Sequence, residues 1–172
     1  MILTVIHDQE TDLTVAGIVA TALFKAGLTQ GFPDPLYPDD PTKLTPYRET
    51  GAAGGGIQVQ SSVANAPFVK AGFVAVKFQI LEGVGPLVRS PKTNIKSHTV
   101  TPAAPDDQYP LGAEATGRAA AKGLCGACLT QPIPPDDDPF TGDPGVSMQI
   151  ACDESDKASV IAGFAGVGFG VD

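Results

Sequence analysis

Two cysteines separated by two residues are the feature of this sequence that comes nearest to a chemical site. Cys125 and Cys128 enclose Gly-Ala, and a gap of this length lets two thiolates reach one metal ion. A closed zinc site needs four ligands, usually from two such pairs. The remaining candidates are Cys152, His7 and His98, and none of them stands at the required spacing. We therefore expect no bound metal and predict that the cysteines are small buried apolar residues.

A redox role for the same pair is also disfavoured by the sequence. A thioredoxin-like motif places its first cysteine at the N-terminus of a helix, where the helix dipole lowers the thiol pKa. Here Cys128 is followed by Leu-Thr-Gln-Pro-Ile-Pro-Pro, which cannot form a helix. Three cysteines cannot all pair within one chain, so a secreted disulfide scaffold is not indicated. Which of Cys125, Cys128 and Cys152 pair, if any, stays open.

Acidic and histidine side chains offer no clearer chemistry. Asp136-Asp137-Asp138 together with Asp143 supplies the oxygen ligands that calcium prefers, but the alternating spacing of an EF-hand loop is absent. A solvated acidic loop is the better interpretation. His7 and His98 have no nucleophile motif beside them. We therefore predict that the protein is not an enzyme and has no cofactor.

Charge narrows the choice of partners. With 11 basic and 19 acidic residues the net charge is −8, which disfavours binding to a phosphate backbone. No apolar run reaches the roughly 18 residues needed to span a bilayer, and the N-terminus lacks the pattern of a secretion signal. We expect a soluble protein that is made in a reducing cytoplasm and binds neither nucleic acid nor membrane.

The middle of the chain is basic although the molecule is acidic. Residues 57–101 hold five basic side chains and one acidic side chain. Arg89, Lys92 and Lys96 follow one another at intervals of three and four within a loop that contains Pro91. Such a patch would steer docking onto an acidic partner surface. The alternative is that it is only a solvated loop.

Proline dominates two further segments. Five prolines fall between positions 33 and 46, and five more between 132 and 144; because each fixes φ and lacks an N–H, neither segment can form a helix or a central strand. The stretches 31–50 and 131–145 are therefore interpreted as arms that embrace a neighbouring subunit, or else as plain surface loops. The glycine run 51–56 suggests a hinge. The residues proposed to touch a partner in the first arm are Pro33, Pro35, Leu36, Tyr37 and Pro38.

Alternating apolar and polar residues indicate the elements between these segments. Alternation at 57–63, 74–80 and 146–150 predicts half-buried strands. A short third strand is expected at Leu87-Val88 and another at 98–101. Residues 12–24 are interpreted as extended, and residues 158–171, rich in glycine, as a bulged inner strand. The alanine and leucine residues of 12–24 also permit a helix. In the second half of the chain only 113–123 favours a helix, of one or two turns. We predict a single all-β domain over residues 1–172, an antiparallel sandwich or jelly roll with little helix.

Two stretches resemble the capsid cement, or decoration, proteins of tailed bacteriophages, of the Bordetella-phage type. Residues 56–82 are similar to that family's strand, turn and following strand. Residues 145–152 together with 163–172, which end in an Ala/Gly-rich run and Asp172, are similar to its closing pair of strands. Asp12-Leu13 and Leu87-Val88-Arg89-Ser90-Pro91 fall in the expected order. The proline-rich arm and the Cys-x-x-Cys region are additions to the family's pattern.

This resemblance implies a jelly-roll-like virion protein on the outside of an icosahedral capsid. Its implied partners are the major capsid protein and further copies of itself, in a dimer or trimer that ties neighbouring capsid subunits together. The alternative function is a ligand- or glycan-binding β-sandwich that serves host recognition on a virion. The small supply of aromatic residues, with no tryptophan and three tyrosines, argues against stacking of sugar rings.

Overall fold

Strands and helices alternate along this chain. The structure is a computed structural model and describes residues 1–7, 12–50 and 55–172, so residues 51–54 of the expected glycine hinge lie outside the described part. The first half contains β1 (Ile2–His7), α1 (Leu13–Lys25), β2 (Phe32–Pro33), β3 (Leu44–Thr45), β4 (Arg48–Glu49), β5 (Ile57–Gln60), α2 (Ala66–Val74) and β6 (Phe78–Ile80). The second half contains β7 (Ile95–Pro102), α3 (Ala113–Gly126), β8 (Thr141–Asp143), β9 (Ser147–Asp153), α4 (Lys157–Gly166) and β10 (Phe169–Val171).

The two halves contain the same sheet. In the first half the strand order is β4-β5-β1-β6, and in the second it is β8-β9-β7-β10, with antiparallel pairing throughout. In each sheet the first strand of the half, β1 or β7, lies between the last two strands of that half. One helix comes before the strand at one edge of the sheet, β4 or β8, and the other helix comes before the final strand, β6 or β10. This is the connectivity of the split β-α-β, or ferredoxin-like, unit. The chain is therefore built from two copies of one β-α-β-β-α-β unit.

The duplication is also present in the amino-acid sequence. Ala71-Gly72-Phe73 and Ala162-Gly163-Phe164 stand 91 positions apart, and Leu28-Thr29-Gln30 and Leu129-Thr130-Gln131 stand 101 apart. Residues at these separations are buried in matching pairs. The pairs are Leu23 with Leu124, Ile57 with Met148, Val59 with Ile150, Val69 with Val160, Phe73 with Phe164, and Phe78 with Phe169. One apolar cluster contains all of them, so the two halves share a core.

Two unusual backbone conformations follow from the repeat. Lys77 has φ 73° and its counterpart Gly168 has φ 92°, each just before the last strand of its half. Cys128 has φ 66° and its counterpart Gly27 has φ 90°, each just after a helix. Positive φ is easy for glycine and costly for other residues, so Lys77 and Cys128 occupy turns that the repeated unit requires.

Helices make most of the contacts between the halves. Helix α1 packs against α3 and α4, and α3 packs against α2. A Cβ atom on Gly72 would lie 2.9 Å from the carbonyl oxygen of Gly123, and one on Gly163 would lie 3.0 Å from that of Ala22. These two contacts are equivalent under the repeat, because Gly123 is the counterpart of Ala22. Glycine is required at both crossings for the helix backbones to approach this closely.

The prediction of an all-β sandwich or jelly roll with little helix is wrong. Of the residues that the structure describes, 32% are helical and 27% are strand, so this part of the protein is mixed α/β. Segment 12–24, expected to be extended, forms α1: the Asp12 carboxylate caps it by accepting a hydrogen bond from the Thr14 N–H at 2.9 Å. Five consecutive residues, 16–20, are buried in α1. A helix enclosed in this way shows no polar face, so its sequence lacks the amphipathic pattern.

Three further strand predictions are wrong in whole or in part. Segment 74–80 contains the end of α2 and only a three-residue strand, and segment 158–171 forms most of α4 followed by β10. Leu87-Val88 lies in irregular chain. The strands expected around 57–63, 98–101 and 146–150 are confirmed as β5, β7 and β9. The helix expected at 113–123 is confirmed and is longer, with 14 residues.

None of the helices formed by the described residues is long and apolar enough to cross a membrane.

The glycine crossings give a direct test of the packing between halves. Gly72→Ala and Gly163→Ala should each lower the free energy of unfolding by about 1–3 kcal/mol, because the added methyl group meets a backbone carbonyl that cannot move aside freely. Urea denaturation measures the change. Gly83→Ala is the matched control, since nothing lies within 4 Å of a Cβ at that position. Equal stability of all three variants would contradict this packing.

Candidate functional site

A cavity lies between the two halves of the chain. Its volume is about 560 Å³, within the usual range of small-molecule sites. One wall is α1, and the facing wall comes from the turn before α3 and the end of α4. The lining residues are Leu13, Thr14, Gly17, Ile18, Thr21, Tyr47, Glu49, Ile57, Ala104, Gln108, Tyr109, Pro110, Thr116, Gly166, Val167 and Gly168.

Thr116 is the polar group most enclosed in this cavity. It lies in α3, its residue is 2% exposed, and its hydroxyl has no hydrogen-bond partner among the described residues. Thr21, across the cavity on α1, uses its hydroxyl hydrogen to donate to the Gly17 carbonyl at 2.8 Å. A buried hydroxyl without a partner is costly, so Thr116 stands out among the lining residues.

Tyr109 braces the cavity wall that belongs to the second half. Its hydroxyl donates to the Gly168 carbonyl and accepts from the Ala104 N–H at 3.2 Å. Its ring packs on Phe169 with centroids 5.3 Å apart. These contacts join the turn before α3 to the chain between α4 and β10, so this wall is fixed before any ligand arrives.

The charged side chains that the structure describes at and beside the cavity lining are acidic. Glu49 is the charged side chain among the described lining residues, and it is exposed. Asp106 and Asp107, which are exposed in the turn before α3, precede the lining residue Gln108. The surroundings therefore disfavour an anion.

A second cavity, of about 340 Å³, lies beside the Cys-x-x-Cys segment. Its lining residues are Ala75, Arg89, Lys122, Cys125, Gly126, Pro132 and Pro139. Lys122 and Ala75 are the repeat counterparts of Thr21 and Gly166 in the larger cavity. The duplication thus places a cavity beside each of the two long helices, with different side chains in each.

The thiols of the Cys-x-x-Cys segment are not activated. Cys125 lies in the last turn of α3, the opposite end from the one that lowers a thiol pKa. Burial raises the pKa of the thiols of Cys125, Cys128 and Cys152, and the positive charge of Arg89 opposes this shift at Cys125 and Cys128. All three cysteines are free. The part of the chain that the structure describes has no group of three or more residues placed to bind a metal.

The three basic residues predicted to contact a partner have different surroundings. Arg89 lines the smaller cavity, and Lys92 is engaged with Asp156, its Nζ lying 2.7 Å from a carboxylate oxygen. Lys96 is exposed on β7. Lys92 is therefore held within the chain by an ion pair, and Lys96 is exposed to solvent.

The Asp153 carboxylate holds in place the chain that leads into β7, the first strand of the second half. One carboxylate oxygen accepts from the backbone N–H groups of Thr93 and Asn94 at 3.1 and 3.0 Å. The other accepts from the N–H and hydroxyl of Ser155 at 2.9 and 2.8 Å. These hydrogen bonds, that of the Ser155 N–H first, lower the pKa of Asp153 from 3.8 to about 2.

The first proline-rich segment is an ordered hairpin, which we call the arm (residues 32–45). Strand β2 pairs with β3, and the Asp34 N–H donates to the Lys43 carbonyl at 3.0 Å. The Asp34 carboxylate accepts from the Leu36 N–H at 2.9 Å, and the Asp40 carboxylate accepts from the N–H and hydroxyl of Thr42. Successive turns therefore hold the arm in one shape.

The base of the arm is anchored and its tip is exposed. Phe32 is buried, and the Arg48 guanidinium lies 4.4 Å from the centre of its ring. At the tip Leu36 is 81% exposed and Tyr37 is 52% exposed. Pro33, Pro35 and Pro38, the other predicted contacts, are exposed as well. The structure thus brings together the five arm residues that the sequence singled out.

Comparison with protein-family models, with curated proteins and with solved structures finds no match to this chain.

Sequence reasoning did not find the larger cavity. Tyr47, Tyr109 and Thr116 carry no motif, and they come together only when α1 and α3 pack. A search for internal repeats would have shown the Ala-Gly-Phe and Leu-Thr-Gln pairs. It would have aligned the two long helices and exposed the positions at which the halves differ.

The hydrogen bonds of Asp153 predict part of the acid sensitivity of folding. Because its folded pKa, about 2, lies below the ordinary 3.8, its stabilisation is fully present above about pH 4 and is lost as the pH falls towards 2. Asp153→Asn should be less stable than the wild type at pH 7, and the difference should shrink between pH 4 and 2. Urea denaturation at each pH measures it. Asp107→Asn, at an exposed carboxylate, is the control; a constant difference for Asp153→Asn would contradict the assignment.

The burial of the cysteine thiols leads to a prediction about the zinc content of the protein. The purified chain should contain no stoichiometric zinc by elemental analysis, because Cys125 and Cys128 lack further ligands among the described residues and their thiols resist ionisation. Zinc at one equivalent that disappears in Cys125→Ser would overturn this prediction.

Proposed function

We propose that the protein is a non-catalytic structural protein that attaches to other protein subunits through its arm. The observation that carries the proposal is the exposed apolar tip, Leu36 and Tyr37, on a hairpin already held in shape. An apolar side chain exposed to this extent at the end of a projection gains most when a partner covers it.

The internal order of the arm supports binding over a plain loop. Association costs less when the binding segment is ordered beforehand. The Asp34 and Asp40 turns and the prolines at 33, 35, 38 and 41 provide that order. Lys43 lies with its Nζ 5.6 Å from the centre of the Tyr37 ring, which restricts the tip further. The arm can therefore dock with little additional loss of conformational freedom.

The sequence resemblance favours one particular kind of structural protein. This is a cement or decoration protein on the outside of a tailed-phage capsid. The proposed partners are the major capsid protein and further copies of the chain. The jelly-roll fold that the resemblance implied is wrong. The resembling stretches, 56–82 and 145–152 with 163–172, lie at equivalent places in the two copies of the repeated unit. The resemblance therefore contributes one motif, seen twice, and the arm is the stronger support.

Capsid binding by arm variants tests the proposal. The wild-type chain should bind capsids assembled from the major capsid protein of the same genome and co-sediment with them. The double variant Leu36→Ser/Tyr37→Ser should bind at least tenfold more weakly, because each side chain contributes roughly 2 kcal/mol when buried. Val63→Ser is the matched control, since Val63 is 77% exposed outside the arm.

Two outcomes would overturn this function. If the double variant binds capsids as tightly as the wild type, the arm is not the contact. If the wild type does not bind capsids at all, the cement role is wrong. The number of chains per particle separates a protein that covers the capsid lattice from a receptor-binding module confined to a tail or vertex.

A further inference from the structure

We propose that the larger cavity is a binding site for a small uncharged organic molecule that combines an apolar ring with a hydroxyl group. This cavity is separate from the arm tip, so the inference is independent of the proposed docking function. It rests on three observations: an unpartnered buried hydroxyl, a mainly apolar and pre-formed wall, and the absence of cationic side chains among the described lining residues.

The Thr116 hydroxyl is not required by the fold. When α1 is aligned with α3 so that Leu23 matches Leu124, the counterpart of Thr116 is Val15. The two side chains have nearly the same shape, and Val15 packs against the core without a polar group. The same structural position therefore functions with an apolar residue. In the second half a threonine stands there instead; it lines the cavity, and its buried hydroxyl is unpaired among the described residues.

Two other hydroxyls on the walls are already used within the protein. The Tyr109 hydroxyl is used by Gly168 and Ala104, and the Thr21 hydroxyl donates to Gly17. Leu13, Ile18 and Val167 add apolar surface. The lining also includes the polar side chains of Thr14, Tyr47 and Gln108. A ligand gains most when its ring fills the cavity and its own hydroxyl pairs with Thr116, the most buried of these polar groups.

Charge excludes one class of ligand. Glu49 is the charged side chain among the described lining residues, and Asp106 and Asp107 directly precede the lining residue Gln108. A phosphate or carboxylate would find no positive partner among the described lining residues. Exposed carboxylates at a rim are screened by solvent, so they do not by themselves select a cation. The deep hydroxyl favours a neutral partner.

The test uses 2-naphthalenemethanol as the probe and fluorescence anisotropy as the measurement. The chain contains no tryptophan, so the naphthalene signal can be excited outside the tyrosine absorption band. The wild-type chain should bind the alcohol saturably and should bind 2-naphthoate at least tenfold more weakly. Tighter binding of 2-naphthalenemethylamine than of the alcohol would overturn the neutral class, and so would equal binding of the naphthoate.

Thr116→Val examines the deep hydroxyl without changing the shape of the cavity. It should weaken binding of the alcohol about three- to tenfold, as expected for one lost hydrogen bond, and leave binding of 2-methylnaphthalene unchanged. The free protein should be no less stable, because the counterpart position already holds valine. An unchanged affinity for the alcohol would show that Thr116 does not contact the ligand and would overturn the proposal.

Variants that fill the cavity provide the second part of the test. Thr21→Leu extends into the cavity from α1 and should abolish binding of the alcohol, whereas Lys122→Leu, at the repeat counterpart beside the smaller cavity, should leave it unchanged. Val167→Phe blocks the cavity from the opposite wall, so the result does not depend on α1 folding normally in one variant. No saturable binding by the wild type, or full binding by Thr21→Leu or Val167→Phe, would overturn the proposal.

Discussion

The close approach of helices from the two halves is the contact on which the rest of the structure depends. At Gly72 and Gly163 a helix meets the backbone of a helix from the other half, with no room for a side chain. This packing covers the apolar faces that each half would otherwise expose. It also places α1 opposite the end of α4, which creates the larger cavity. Neither half has an enclosed core without the other.

Duplication with divergence explains why one chain carries features that differ between its halves. Both copies keep the buried pairs, the helix crossings and the positive-φ turns. The first copy extends the connection after its long helix into the ordered arm. The second copy has a shorter connection at the same place, with cis Pro134–Pro135 and three exposed aspartates. The repeated framework stays constant because the core requires it, while connections at the surface are free to change.

The cysteines show how position within the repeat determines chemistry. Cys128 stands at the turn where the first half has Gly27, and Cys125 stands where it has Phe24. Both positions serve the end of a helix and its packing on the core. Their thiols are therefore partly or fully buried, and burial raises their pKa values. The spacing of a metal or redox motif arises here within a structural segment.

Several features are determined by the sequence alone, and others only by tertiary packing. Alternation marks β5 and the first part of β9 because there one face is buried and the other is more exposed. Prolines exclude a helix and a central strand from the arm. The helices α2 and α4 bury residues at helical spacing, such as Val160, Gly163 and Phe164, but apolar residues also lie on their exposed faces, Val74 and Ile161 among them. Local patterns therefore could not separate these helices from strands. The cavity has no local pattern at all, because its walls come from distant segments that meet only when the two copies pack.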